Sequence, residues 1–133
     1  VLQRLAERRW STVAILGPGA GVGKTTTAAN LALAIASDSR YTALLADLDL
    51  RRPRVGELFG LRPTVGVEDV LAGRAALAEA AWTDEGGGVT VLPARGPVTG
   101  SSELLAAAAT REAVAEIRGR DPDRIALFDL PPV

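Results

Sequence analysis

Four short apolar runs punctuate the chain: Val13-Ala14-Ile15-Leu16, Thr42 to Asp49 around Ala43-Leu44-Leu45-Ala46, Val89-Thr90-Val91-Leu92, and Ile125-Ala126-Leu127-Phe128-Asp129. They are continuous in hydrophobicity, as strands buried on both faces are. Between them the apolar positions recur at helical spacing. From Thr27 to Ala36, the residues Ala28, Leu31, Ala32 and Ile35 share one face. Shorter helical segments are predicted at Val55 to Leu61 (ended near Gly60), Gly66 to Leu71, and Ala75 to Trp82, with Trp82 in the core. Ser101 or Ser102 is placed to cap a helix that begins near Glu103, carries Leu104, Leu105, Val114 and Ile117 inward, breaks near Thr110 and ends around Gly119. Residues 1–12, with Leu2 and Leu5 among Arg4, Glu7, Arg8 and Arg9, read as a short amphipathic lead-in helix with Trp10 packed on the domain edge. The single domain then runs over 13–133. Strands alternating with helices imply an α/β fold: a mainly parallel sheet between two helical layers, with right-handed crossovers.

In such a sheet, ligands sit beyond the carboxyl ends of the strands, and three of the four runs deliver chemistry there. The first leads into Gly17-Pro18-Gly19-Ala20-Gly21-Val22-Gly23-Lys24-Thr25-Thr26, which opens the first helix. Strand, glycine loop ending in Gly-Lys-Thr, then helix is the context of a phosphate-binding loop. Its glycines let successive backbone N–H groups point inward and leave room for phosphate oxygens. The start of the helix adds the positive end of its dipole. Gly19 to Thr26 are the expected nucleotide contacts, with Lys24 as a point charge on the terminal phosphates and the Thr25 hydroxyl on Mg²⁺. Pro18 stands where the strict pattern has glycine, flanked by Gly17 and Gly19.

The second run ends in Asp47 and Asp49, which project from the same side of an extended backbone. Two like charges on an apolar segment need a cation nearby. Mg²⁺ on a nucleotide supplies one, and Arg51 is placed to supply another. Asp129 closes the last run, the layout of an acid that reaches Mg²⁺ directly or through water. Thr25, Asp47 and Asp129 are therefore the expected metal ligands. Gly86-Gly87-Gly88 reads as a flexible connection, because no helix and no Lys-Thr pair follow it.

Composition narrows the chemistry. The 133 residues are 47% hydrophobic and 23% charged, with a formal net charge of −1, so nothing in the overall charge points to nucleic acid. Cysteine and histidine are both absent, which excludes thiolate chemistry and leaves carboxylates, lysine or tyrosine as proton acceptors. No apolar run approaches the ~20 residues of a membrane span, and the N-terminus lacks a signal-peptide layout, so a cytoplasmic location is expected. With no methionine, and its last residues following directly on a strand, the chain is expected to be a piece of a longer protein, truncated after the last acidic strand.

Leu44-Leu45-Ala46-Asp47-Leu48-Asp49-Leu50-Arg51-Arg52-Pro53, Phe59-Gly60-Leu61, Ser102-Glu103-Leu104-Leu105 and Phe128-Asp129-Leu130-Pro131-Pro132 resemble the bacterial tyrosine kinases of capsule and exopolysaccharide synthesis. The resemblance covers roughly Val13 to Val133, and the acidic motif followed by Arg-Pro is its most specific part. It implies a P-loop fold related to the MinD and ParA ATPases, and transfer of the ATP γ-phosphate to protein tyrosine with Mg²⁺. In that reading Lys24 neutralises phosphate, Asp47 orients or deprotonates the acceptor hydroxyl, and Asp49 and Arg51 support the site electrostatically. It also implies a membrane-anchored polysaccharide co-polymerase as activating partner, a place at the inner face of the membrane, and a possible homo-oligomer. Two alternatives stand beside it: a nucleotide-switched ATPase like MinD or ParA, and a non-catalytic nucleotide-binding regulator of polysaccharide length. The switch ATPases carry a signature lysine five residues before the loop lysine, where this chain has Gly19.

Overall fold

The computed structural model describes residues 11–17 and 22–132. Its elements in chain order are β1 (Thr12–Ile15), α1 (Val22–Ala36), β2 (Thr42–Asp47), α2 (Val55–Leu58), α3 (Val67–Leu71), α4 (Leu77–Ala80), β3 (Trp82–Thr83), β4 (Val89–Leu92), α5 (Ser101–Ala106), α6 (Ala108–Arg118) and β5 (Arg124–Asp129). The expected lead-in helix and Trp10 lie on residues 1–10, outside the described residues, and Thr12 already belongs to β1.

One sheet runs in the order β1-β5-β2-β4-β3. Its first four members are parallel neighbours, and β3 pairs antiparallel with β4 at one edge. Register explains why the two acidic strand ends meet: Asp47 lies opposite Asp129 across the β2–β5 pairing, and Ile15 lies opposite Asp129 across β1–β5. The chain has to leave all three strands at the same edge.

Strand side chains alternate between two cores. Ala43 and Leu45 of β2, Val89 and Val91 of β4, and Ile125 and Leu127 of β5 pack with Ala28, Ala29, Ala32 and Ile35 of α1. Leu44, Ala46, Leu92, Ala126 and Phe128 face the other way, onto α3, α4 and α6. Helices on both faces make the three layers that the continuous apolar strands required. Small residues on the inner face of α1 let its backbone come close to the sheet.

Several local expectations are corrected. The second strand ends at Asp47, so Asp49 sits in the turn beyond it and not in extended backbone. Trp82 does not end a helix in the core: α4 stops at Ala80, Ala81 is extended, and Trp82 opens the edge strand β3 with 45% of its surface exposed. A two-residue strand at the sheet's edge pairs on one side only, with β4. The long C-terminal helix divides at Ala107, three residues earlier than expected, into α5 and α6. Neither serine caps α5; Gly100 takes that position in left-handed backbone (φ 72°), which a glycine adopts without the strain a Cβ brings.

The loop after β4 is held by a buried acidic pair. The Glu68 carboxylate accepts the Arg95 backbone N–H with both oxygens at 3.1 Å. Asp69 accepts the Gly66 N–H at 2.9 Å, the Arg95 guanidinium at 2.8 and 3.1 Å, and Arg74 at 3.0 Å. Farther on, the Val98 N–H donates to the Leu50 carbonyl at 2.8 Å, so this loop braces the turn that carries Asp49. Gly66 is tight: a Cβ there would lie 2.6 Å from the Arg95 backbone nitrogen and 1.8 Å from Glu68 Oε1. Gly66→Ala is expected to displace this loop and lower stability by about 2–4 kcal/mol, measured by urea denaturation.

Candidate nucleotide and phosphoryl-transfer site

The carboxyl edge of β1, β5 and β2 collects the side chains singled out from the sequence. Lys24, at the start of α1, reaches Asp129 Oδ1 and the Leu130 carbonyl. Its Nζ also lies 3.5 Å from Asp49 Oδ2. The Thr25 hydroxyl donates to Asp129 Oδ2 at 2.8 Å. Both oxygens of the fully buried Asp129 are thus engaged by α1, which locks the first turn of that helix onto the end of β5.

Asp47 is also fully buried. Its Oδ1 accepts the Asp49 N–H at 3.1 Å, and its Oδ2 accepts the N–H groups of Arg54 and Val55, each at 3.0 Å. One carboxylate therefore folds the chain back on itself, tying the end of β2 to the beginning of α2. Burial pushes the Asp47 carboxyl up to about 7, the bond from the Val55 N–H opposes this, and the neighbouring Asp129 charge adds to the rise. The sign of the linkage follows. The unfolded chain gives up this proton near the ordinary value of 3.8 and the folded chain near 7, so the folded state holds the extra proton between them. Stability of the chain free of metal and nucleotide is expected to fall as pH rises through that window, by at most roughly 4 kcal/mol. Asp69, held low chiefly by Arg95, and Asp38, held near 2 by Arg40, contribute stability that is lost only as pH falls below the ordinary carboxylate range. Thermal melts of the parent and of Asp47→Asn between about pH 4 and 7 will show whether this slope disappears in the variant.

The other residues divide cleanly. Asp49 is buried, and its Oδ1 has no hydrogen-bond partner among the described residues. Arg51 is exposed and joins no ion pair among the described residues, so the structure does not bring it to the acids. Gly19, Ala20 and Gly21 lie outside the described residues. Val22 and Gly23 begin α1, and Thr26 is exposed beside Thr25. A cavity of about 550 Å³ opens next to them, lined by Thr25, Thr26, Arg54, Glu57 and Leu58. Arg54 goes unnoticed in the sequence because an arginine in an Arg-Arg-Pro-Arg run has no periodicity to mark it. Glu68 and Asp69 leave only one trace, an acid three residues after Gly66 at a helix start.

Among the described residues no three acids converge as a ready-made metal cage, for Lys24 stands between Asp49 and Asp129. The donor set nonetheless fits an added cation. Two carboxylates face one ammonium, and one buried carboxylate oxygen, Asp49 Oδ1, is left without a partner among the described residues.

Comparisons with known proteins agree with this geometry. Residues 13–120 match the model of the "CobQ/CobB/MinD/ParA nucleotide binding domain". The chain is 34% identical over 128 residues to the tyrosine-protein kinase YwqD of Bacillus subtilis, covering 96% of this chain and 52% of that protein. Its fold is similar to the kinase domain of the Escherichia coli tyrosine kinase ETK, with TM-score 0.82 and 30% identity, covering 98% of this chain and 50% of that one. It is also similar to the cobyrinic acid a,c-diamide synthase of Mycobacterium smegmatis solved with an ATP analogue and magnesium, with TM-score 0.70 and 30% identity, covering 90% and 50% of the two chains. The chain thus spans about half the length of these relatives. Glycine loop, acidic strand ends, sheet order and matched model together show that the chain belongs to the CobQ/CobB/MinD/ParA family of nucleotide-binding domains, with bacterial tyrosine kinases among its relatives.

Proposed function

We propose that this chain is the nucleotide-binding core of an ATP-dependent protein tyrosine kinase that regulates capsule or exopolysaccharide synthesis. The observation that carries the reading is the convergence of Lys24 and Thr25 on Asp129, with Asp49 alongside, at the edge where three parallel strands end. The kinase relatives share this chain's fold and about a third of its residues, 34% in one and 30% in another, which supports phosphotransfer over simple nucleotide storage.

In this reading Lys24 leaves its carboxylates to meet the terminal phosphates of ATP, and the amides of Gly19 to Thr26 hold the β-phosphate region. Thr25 and Asp129, with Asp47 behind them, would hold Mg²⁺, which supplies positive charge to the phosphate oxygens when bound. The acceptor tyrosine oxygen forms a bond to the γ-phosphorus while the bond from that phosphorus to the β,γ-bridging oxygen breaks, leaving ADP. The hydroxyl proton passes to a carboxylate. Asp47 is the carboxylate proposed to orient the hydroxyl or to take its proton. Asp49 adds negative charge beside it. Most of the rate comes from positioning and charge neutralisation.

A membrane-anchored co-polymerase is the proposed activator, with the kinase peripheral to the inner membrane face and assembling as a homo-oligomer. Among the described residues no helix is long and apolar enough to cross a membrane. The test uses the intact protein that carries this chain, incubated with γ-labelled ATP, Mg²⁺ and a tyrosine-containing acceptor. Phosphotyrosine in the acid hydrolysate is the expected result. ATP-driven dimerisation with phosphate release and no phosphotyrosine would move the assignment to a nucleotide-switched ATPase, and binding without turnover would leave a regulator.

A further inference from the structure

Among the described residues, cationic side chains at this site are few. Lys24 already faces Asp129 and Asp49, and Glu57 adds another carboxylate to the adjoining cavity. A nucleotide carries several negative charges, and of the other residues lining that cavity, Thr25, Thr26, Glu57 and Leu58, none is a cation. Three arginines follow the acidic motif, and the natural candidate from the sequence, Arg51, is exposed and does not border this cavity. Arg54 does border it. Its backbone N–H is fixed on Asp47 Oδ2, so the position from which its side chain departs is set by the same carboxylate that closes β2. Its guanidinium joins no ion pair and no side-chain hydrogen bond among the described residues, and the residue is exposed on the cavity side of α2. A planar guanidinium bonds phosphate oxygens in pairs, which a lysine cannot do.

We propose that Arg54 is the anion-reading residue of this site: from the cavity that Thr25 and Thr26 also line, its guanidinium contacts the terminal phosphoryl group of a nucleoside triphosphate and so distinguishes triphosphate from diphosphate. This rests on the nucleotide-binding reading of the site, and it holds whether the phosphoryl group then goes to tyrosine or to water. Its placement depends on Asp47, whose Oδ2 holds the Arg54 N–H.

The experiment measures dissociation constants for ATP and ADP, each with Mg²⁺, by titration calorimetry on the intact protein and on Arg54→Ala and Arg54→Lys. It runs beside a phosphotyrosine assay of the same three proteins. Arg54→Ala keeps the backbone N–H that Asp47 needs, and its circular dichroism reports folding. In Arg54→Ala the preference for ATP over ADP is expected to fall about tenfold, with ADP affinity unchanged and Arg54→Lys recovering only part of the loss. An unchanged ATP-to-ADP ratio in Arg54→Ala overturns the proposal, as does an equal loss for both nucleotides or a complete absence of nucleotide binding in the parent. The two readings fail separately. Lost discrimination with no phosphotyrosine in the parent upholds Arg54 and removes the kinase; phosphotyrosine in the parent with discrimination intact in Arg54→Ala does the reverse.

Discussion

Lys24→Met is expected to abolish phosphotransfer and to lower the stability of the nucleotide-free chain by about 3 kcal/mol, an effect that a purely ligand-facing lysine would not have. The ammonium is almost wholly shielded by protein, with 6% of its side chain exposed, and it is paired to a carboxylate with none. Methionine fills much of the same space and removes the charge. Asp129 would then keep the Thr25 hydroxyl but lose its buried cation, and Asp49 would lose its own. Removing one partner of a buried pair costs more than the pair contributes, because the remaining charge is left dehydrated and alone. Urea denaturation repeated at rising Mg²⁺ separates this from lost packing. The variant should regain stability as Mg²⁺ rises, and Lys24→Met combined with Asp129→Asn should be more stable than Lys24→Met alone yet equally inactive. A Lys24→Met protein as stable as the parent at low Mg²⁺ would show that the lysine contributes nothing before nucleotide arrives.

Asp129→Asn is the second large effect, and here the loss falls on turnover. Asparagine keeps the shape of the side chain, so the hydrophobic contacts of β5 survive. One of its two terminal atoms becomes a donor, which Lys24 cannot accept, so it faces the Thr25 hydroxyl and reverses that bond while the amide oxygen keeps Lys24 without the negative charge. The ion pair with Lys24 is lost, and the proposed metal ligand is replaced by a neutral amide. A fall in kcat of about a hundredfold to a thousandfold is expected, comparable to removing one preorganised charge-stabilising group from an active site. The Mg²⁺ concentration for half-maximal rate should rise at the same time. If kcat falls while that concentration stays fixed, Asp129 positions Lys24 and does not hold the metal.

Much of this arrangement is legible in the order of residues alone. The strands with chemistry at their ends are written in continuous apolar runs, and a glycine loop followed by Lys24 and Thr25 is specific because phosphate binding tolerates few substitutes. The partition of Asp47, Asp49 and Arg51 is not legible there. Extended geometry places all three on one side, but the strand ends at Asp47, whose carboxylate turns the chain by taking three backbone N–H groups. Whether a carboxylate at a strand end stays extended or caps the following turn depends on donors up to eight residues away, which periodicity does not report. Trp82 misleads for a related reason. An alanine-rich run predicts helix, and nothing local tells the chain that a second strand is available for pairing at the sheet's edge. The Glu68 and Asp69 pair is hidden because its partner, Arg95, is more than twenty-five residues distant.

The three N–H groups gathered by Asp47 have one further consequence. Any ligand that draws this carboxylate toward itself must compete with the bonds that hold Arg54 and Val55, and so loosens the attachment of α2. Leu58, at the far end of that short helix, has 48% of its surface exposed. Binding at the strand ends is therefore expected to speed amide exchange at Arg54 and Val55 and in the single helical turn that follows them.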